Sequence, residues 1–514
     1  MNKIAVIAGV VICITAAGAV SYYPSYRAAQ AEEIIQQEVA KLNSKLQQHN
    51  VGSVAILSHE ANREGSNLEI EWTLQLPESI TADLTNPELK KPITMQTQAI
   101  IDFGFLPSTK GFSKAHSITS SKDIDQFLAK QGQNEGLTFD CTTTPSSSGY
   151  DTGCTTNKLE FTNKKQPGVA SEIETIVLAE SELNLNLDQD NGQLETGLTI
   201  PSFTLQGKGK TLGSVENISL DHTGPYDVTG MVSMLDTMLG NEILVGESST
   251  NLSIAEFKVH SKDQTQPFNA KNISIKGLSS VKDELLNGSA TFAVEKMQGL
   301  PFDLESFTYG FQIDQAHVPT LMKFNKMNQE SSQHDQVPNK DVMTGLLVDF
   351  LAEGPKLSLD FDLAQNSGDK LQWGTMLEFK PTSAKSIQEG ITLFDKGMQV
   401  NPMAPLQFLT DNMIIKMNAE VDEPLAKIIT SQALSMAGAQ RSSVDPTQAT
   451  AAPTSDQDIQ KALSALEMFG VLKKTDERYT SAFELSEKGI LVNGVDMSAM
   501  LGLPARSTAP KTGS

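Results

Sequence analysis

Hydrophobic positions along the chain fall into three patterns, and each predicts a different kind of element. Residues 4–23 form an unbroken apolar run with no charged residue, preceded only by Lys3 and the amino terminus. About twenty residues rising ~1.5 Å each span the ~30 Å hydrocarbon core of a bilayer, so this run predicts a membrane helix. Tyr22, Tyr23 and Tyr26 cluster at its outer edge, where amphipathic rings favour the headgroup layer. A stripe at helical spacing follows the break at Pro24. Ala31, Ile35, Val39, Leu42 and Leu46 share one face of a helix expected over residues 27–50, packing on the protein's own sheet.

Alternation takes over from there. Leu68, Ile70, Trp72, Leu74 and Leu76 alternate with polar residues, the pattern of a half-buried strand, and residues 51–58 are its expected hairpin partner across Asn62 to Gly65. A further strand is expected at 98–105, a short helix at 123–130, and a return strand near 159–161. Residues 172–314 read as strand almost throughout. Leu183, Leu185 and Leu187 run into Asp190-Asn191-Gly192, and Asn-Gly between alternating runs is a strong hairpin signal. A short motif recurs as Asn217-Ile218-Ser219-Leu220, Asn251-Leu252-Ser253-Ile254 and Asn272-Ile273-Ser274-Ile275. Its spacing is too irregular for a solenoid and predicts similar strands facing similar cores. One helix, 226–239, interrupts these strands.

Helices are expected again at 319–327 and 342–351, then strands at 356–363 and 371–379 joined through Gln365 to Gly368. Pro424 suits the first position of a helix carrying Leu425, Ile428, Ile429 and Leu434. Ile459, Leu463, Leu466 and Phe469 give a last helix ending at Gly470, followed by a hairpin of 479–485 with 490–493. The resulting divisions are an anchor (1–26), a helix with β-hairpins and a disulfide loop (27–165), a β-rich middle (166–318) and a helix-hairpin-helix region (319–439). A flexible linker (440–456), a helix and hairpin (457–503) and a disordered tail (504–514) complete them.

The apolar leader admits two fates. Ala17-Gly18-Ala19 has the small-residue pattern of a signal-peptidase site but lies inside the run, and Ala29-Gln30-Ala31 lies well beyond it. Cys13 follows Ile12, too bulky for a lipoprotein signature. An uncleaved anchor is therefore the expectation, with cleavage as the alternative. Charge changes the picture next: 40 Lys and Arg against 62 Asp and Glu give a net charge of −22 over 514 residues. Such a surface repels nucleic acid and anionic headgroups. Outside the leader only Cys141 and Cys154 remain, separated by a polar run rich in turn formers. In an oxidising compartment they are expected to form a disulfide; the alternative is a pair of free thiols.

Motifs with chemistry fail on inspection. Gly207 to Thr211 suggests a phosphate loop, but Thr204 stands where its first glycine belongs. His59-Glu60 begins like a zinc-protease helix, but Arg63 occupies the second histidine position. Asp188 to Gly192 resembles the start of a calcium loop without its ligand spacing. The seven histidines are scattered, and no serine lies in a G-x-S-x-G elbow. No catalytic residue, metal ligand or cofactor is expected.

The C-terminal part carries a resemblance. Gly354-Pro355-Lys356-Leu357-Ser358-Leu359 leads through Asn366-Ser367-Gly368-Asp369 into Gly374-Thr375-Met376-Leu377, and the chain ends on Gly470-Val471-Leu472, Tyr479 to Phe483 and Lys488 to Gly494. These stretches resemble the YdgA-like family of bacterial envelope proteins. Pro24-Ser25-Tyr26 and the linker at 440–456 depart from that pattern. The resemblance implies a Gram-negative inner-membrane protein with a single anchor and a periplasmic body, and it carries no biochemical activity or functional residue with it. The expected fold is α+β: an extended, curved antiparallel β-sheet with helices packed on one face, plus one N-terminal transmembrane helix. The expected function is a non-enzymatic structural or binding role. Its partners are the inner membrane through the N-terminal helix, a lipid or hydrophobic ligand, an envelope protein, or a second copy in a homodimer. The alternative is a periplasmic hydrolase with a dispersed active site.

Overall fold

The computed structural model describes residues 52–61, 65–74, 92–102, 113–130, 136–162, 174–188, 190–225, 247–260, 267–299, 303–324, 340–400, 403–444 and 455–498, together with 36, 39, 40, 43, 44 and 327. The apolar leader at 4–23, the helix expected at 226–239 and the tail lie outside them. Among the described residues no helix is long and apolar enough to cross a membrane. The chain divides into two compact units, Met1–Val281 with Asn325–Pro338 and Lys282–Phe324 with Asn339–Ser514.

The first unit is an antiparallel meander. Its strands are β1 (Gly52–Ala61), β2 (Gly65–Leu74), β3 (Ile93–Asp102), β4 (Lys114–Ser120), β5 (Thr138–Pro145), β6 (Gly149–Thr156), β7 (Leu159–Thr162), β8 (Thr175–Leu178), β9 (Glu182–Asp188), β10 (Gln193–Gly207), β11 (Lys210–Pro225), β12 (Ser248–Val259) and β13 (Phe268–Lys282). Strands pair in chain order from β1 to β6 and from β9 to β13. In between, β6 pairs with β9 and β7 with β8, so β8 and β9 lie end to end along one edge of β10. The sheet is open: among the described residues β1 pairs only with β2.

One side-chain row crosses this whole unit. Leu68, Ala99, Ser117, Cys141, Cys154 and Leu183 stand side by side on successive strands, all buried. The same row continues as Leu198, Leu220 and Leu252, now half-buried, and reaches Ile275 at 41% exposure. The first strands are buried because helices cover them. The described residues between 36 and 44 are helical, Val39 is buried, and Asn43 bonds Val54 on β1, donating to its carbonyl (2.5 Å) and accepting from its amide (2.6 Å). Helix α1 (Lys122–Lys130) begins beside β3: Ser121 Oγ caps Ile124 N (3.2 Å) and Asp123 accepts from Thr94 N (2.8 Å). Beneath them Trp72 Nε1 donates to Thr97 Oγ1 (3.1 Å), which shares a hydrogen bond with Thr119 Oγ1 (2.8 Å).

The recurring motif has a structural cause. Its three copies are in register: Ser219, Ser253 and Ser274 form one row, and Ile218, Ile254 and Ile273 another. Asn217 and Asn272 occupy the left-handed backbone region (φ 50° and 49°), which a short amide side chain tolerates better than most. Asn251 does not share that conformation.

The second unit contains β14 (Leu285–Gln298), β15 (Leu304–His317), β16 (Lys356–Gln365), β17 (Lys370–Phe379), β18 (Met413–Asp422), β19 (Lys473–Thr475), β20 (Arg478–Ser486), β21 (Gly489–Val492) and β22 (Val495–Asp496). Strands β14 to β18 pair in order, β18 pairs with β20, and β19 and β21 flank the far edge of β20. Residues 318–324 are helical, as expected, and helices α2 (Lys340–Ala352), α3 (Ala384–Val400), α4 (Met403–Asn412), α5 (Glu423–Val444) and α6 (Asp456–Met468) complete the unit.

The bounds of the expected linker need correction here, while the last helix lies where the sequence places it. Residues 440–444 belong to α5, and Ser455 is the N-cap of α6, paired with Asp458 in a capping box, so both ends of the expected linker are helical structure. The apolar stripe of α6 is buried only at Ile459 and Leu463, because the chain turns away at Gly470 and leaves Phe469 64% exposed.

Candidate functional site

Strand alternation gives the second unit two chemically opposite faces. On one, four rows cross β14, β15, β16, β17, β18 and β20. They read Gly288–Ile313–Leu357–Leu377–Ile415–Leu485, then Ala290–Phe311–Leu359–Thr375–Met417–Phe483, then Phe292–Tyr309–Phe361–Trp373–Ala419–Ser481, and last Val294–Phe307–Leu363–Leu371–Val421–Tyr479. No residue in these rows carries a charge. The opposite face holds Asp360, Asp362, Lys416, Glu420 and Glu484.

Helices cover this apolar face on its β18–β20 side. Ala426 of α5 and Ile459 and Leu463 of α6 bury Tyr479, with Val421 packed alongside. Leu409 of α4 packs with Ile415, Phe483, Leu485 and Ile490. The two middle rows on β15 to β18 remain half-buried, with Tyr309 39% and Met417 37% exposed. Phe307 stands edge-on to Phe292 (centroids 5.8 Å) and to Phe361 (5.2 Å), which stiffens the floor. Phe292 to Ala419 crosses four inter-strand spacings, about 19 Å. Thr375 lies in the middle of this floor, between Leu359 and Met417, with its Oγ1 buried and without a hydrogen-bond partner. The result is an uncharged apolar trough, half-buried over β15 to β18, with helices packed on its β18–β20 end.

The polar edge of the same unit is held by ion pairs. Glu423 in the first turn of α5 receives Lys427 (2.8 Å) and Lys474 (2.7 Å), and Arg478 bonds Asp422 (2.7 Å) and Glu420. Lys474 also lies 5.2 Å from the centre of the Tyr479 ring.

A different concavity lies in the first unit. Thr142, Gly153, Asn184, Gly197 and Asp221 form one row, and Thr144, Asp151, Asn186, Glu195 and Thr223 another, lining a cavity of about 700 Å³. His222 also lines it; Nδ1 lies 2.8 Å from Thr250 Oγ1, and burial pushes its pKa down. Besides His222 and Leu185 the lining side chains are hydroxyls, amides and carboxylates, with no cysteine or serine among them. Among the described residues no group of three or more His, Cys, Asp or Glu is placed to hold a metal ion.

Cys141 and Cys154 face each other on β5 and β6 with their sulfurs at disulfide distance and Cα atoms 4.0 Å apart. The sequence between them is not a loop, as expected, but the two strands themselves, turning at Ser146 to Ser148. The rejected motifs are turns and strand. Lys208 and Gly209 close the β10–β11 hairpin in the left-handed region, and His59 lies on β1 opposite Leu68. Asp188 accepts from the amides of Asp190 and Asn191 (both 3.0 Å), and the bonds from Asn191 hold its carboxyl below the usual range. Alternation in β16 and β17 was visible in sequence; the placement of Thr375 beside Met417 was not, because only strand register puts them together. The period-2 pattern Ile415, Met417, Ala419, Val421 was the available signal for β18.

No curated protein and no solved structure matches the chain. A family model described as a bacterial protein of unknown function, DUF945, matches residues 1–500, and the chain belongs to that family.

Proposed function

We propose that this is a non-enzymatic bacterial envelope protein, anchored in the inner membrane by residues 4–23, whose periplasmic body binds the acyl chain of a lipid in the trough of the second unit. The observation that carries this reading is the uncharged floor of β14 to β18, half-buried and with helices packed only on its β18–β20 end among the described residues. Apolar surface gains about 25 cal/mol for each Å² removed from water, so an open floor of this size favours an apolar occupant. A single acyl chain spans one leaflet, about half of the ~30 Å hydrocarbon core, and fits within the length of the floor. The resemblance to YdgA-like envelope proteins and the apolar leader support the location. The disulfide pairing of Cys141 with Cys154 fits an oxidising compartment.

The test is native mass spectrometry of the full chain extracted in detergent. Co-purifying phospholipid is expected, lost when Phe361 and Met417 are replaced by aspartate. A protein that carries no lipid and takes up none from mixed micelles overturns the proposal.

A further inference from the structure

The trough is not uniformly greasy. Thr375 Oγ1 is buried, has no hydrogen-bond partner, and lies between Leu359 on β16 and Met417 on β18. A hydroxyl left unpaired in an apolar site costs about 1–3 kcal/mol. A valine has the same shape without that cost, so packing alone gives no reason for threonine here. Backbone pairing on both sides of β17 occupies the neighbouring amides and carbonyls, and the flanking leucine and methionine offer the hydroxyl nothing. A partner can reach it from the open side of the sheet once the side chain of Met417, its half-exposed neighbour, moves.

Resting on the acyl-chain reading above, we infer that Thr375 is a specificity-determining residue that donates a hydrogen bond to the ester carbonyl of an acyl lipid. The thioether of Met417, on an unbranched and adaptable side chain, swings aside to admit it. The ligand class is thereby an ester-linked acyl lipid. A hydrocarbon, or a lipid whose chains are joined through ether oxygens, lacks the carbonyl that satisfies the hydroxyl. The bond fixes where the chain starts along the floor, while the aromatic and aliphatic rows supply the area. The charged headgroup stays outside, since no row residue is charged.

The test uses the full chain in detergent and two phosphatidylethanolamines of equal chain length, one ester-linked and one ether-linked. Each displaces a fluorescent fatty-acyl probe. The wild type is expected to prefer the ester lipid by about threefold to tenfold, the worth of one neutral hydrogen bond. Thr375→Val is expected to abolish the preference while keeping or tightening ether-lipid binding, which also reports that the variant is folded. Thr375→Ser is expected to retain the preference. Equal affinity of the wild type for both lipids, or an unchanged preference in Thr375→Val, overturns the inference and leaves acyl-chain binding standing. Failure of both lipids to displace the probe from any variant overturns both.

Discussion

Glu423 shows how single side chains fasten the second unit. Its carboxyl is held down to about 2, chiefly by the hydrogen bond from Lys427 and then by that from Lys474. The ordinary value is 4.5, so the stabilisation is complete above that pH and disappears as pH falls through about 2. Glu423→Gln is expected to lower the urea midpoint near neutral pH, and the gap from wild type is expected to close by about pH 2. A gap that is independent of pH would assign the effect to helix packing instead. In the first unit the hydroxyl of Thr97 serves both Trp72 and Thr119 inside the core. Thr97→Val keeps the shape but strands the indole N–H, with an expected loss of about 1–3 kcal/mol by equilibrium denaturation.

At the scale of elements, the β5–β6 hairpin is cross-linked within its own ladder. Replacing both Cys141 and Cys154 by alanine is expected to cost about 3 kcal/mol on the chain-entropy model, measured by denaturation with and without reductant. Gly149 lets β6 meet β9, since a Cβ there would lie 1.6 Å from the carbonyl oxygen of Leu187. Elements with strong local chemistry were legible in sequence: the alternation of Leu68, Ile70 and Trp72, the Asn191-Gly192 turn, and the α6 stripe with its glycine stop. Helices α3 and α4 were not picked out, although Ile387 and Ile391 stand one turn apart and Ile387 is fully buried. Their apolar positions are interrupted by Gly390 in α3 and Pro405 in α4, residues that read as turn formers in sequence. The segment between the cysteines read as a loop because Thr, Ser and Gly also suit a strand whose buried row is built of small residues, as Thr143 and Thr152 show by sharing a hydrogen bond (2.9 Å). The candidate site was beyond sequence for a related reason. Alternation assigns each residue a face, but register decides which residues become neighbours, and register is fixed between strands distant in the chain.

Taken as a whole, the described chain is built of long antiparallel strands in two units, each with an apolar face whose helical cover is incomplete. A protein built this way carries a hazard at its sheet edges. The outermost strand of a sheet displays unpaired amides and carbonyls, and a second molecule adding its own strand there would begin a fibre. At β1 the carboxamide of Asn43 occupies both backbone groups of Val54, doing with one side chain what a neighbouring strand would do with its peptide bonds. Close by, the register shift between Ile56 and Ser58 breaks the regularity that strand addition requires. Asn43 therefore takes the place at Val54 that an incoming strand would need, and the bulge beside it spoils the register for the next rung.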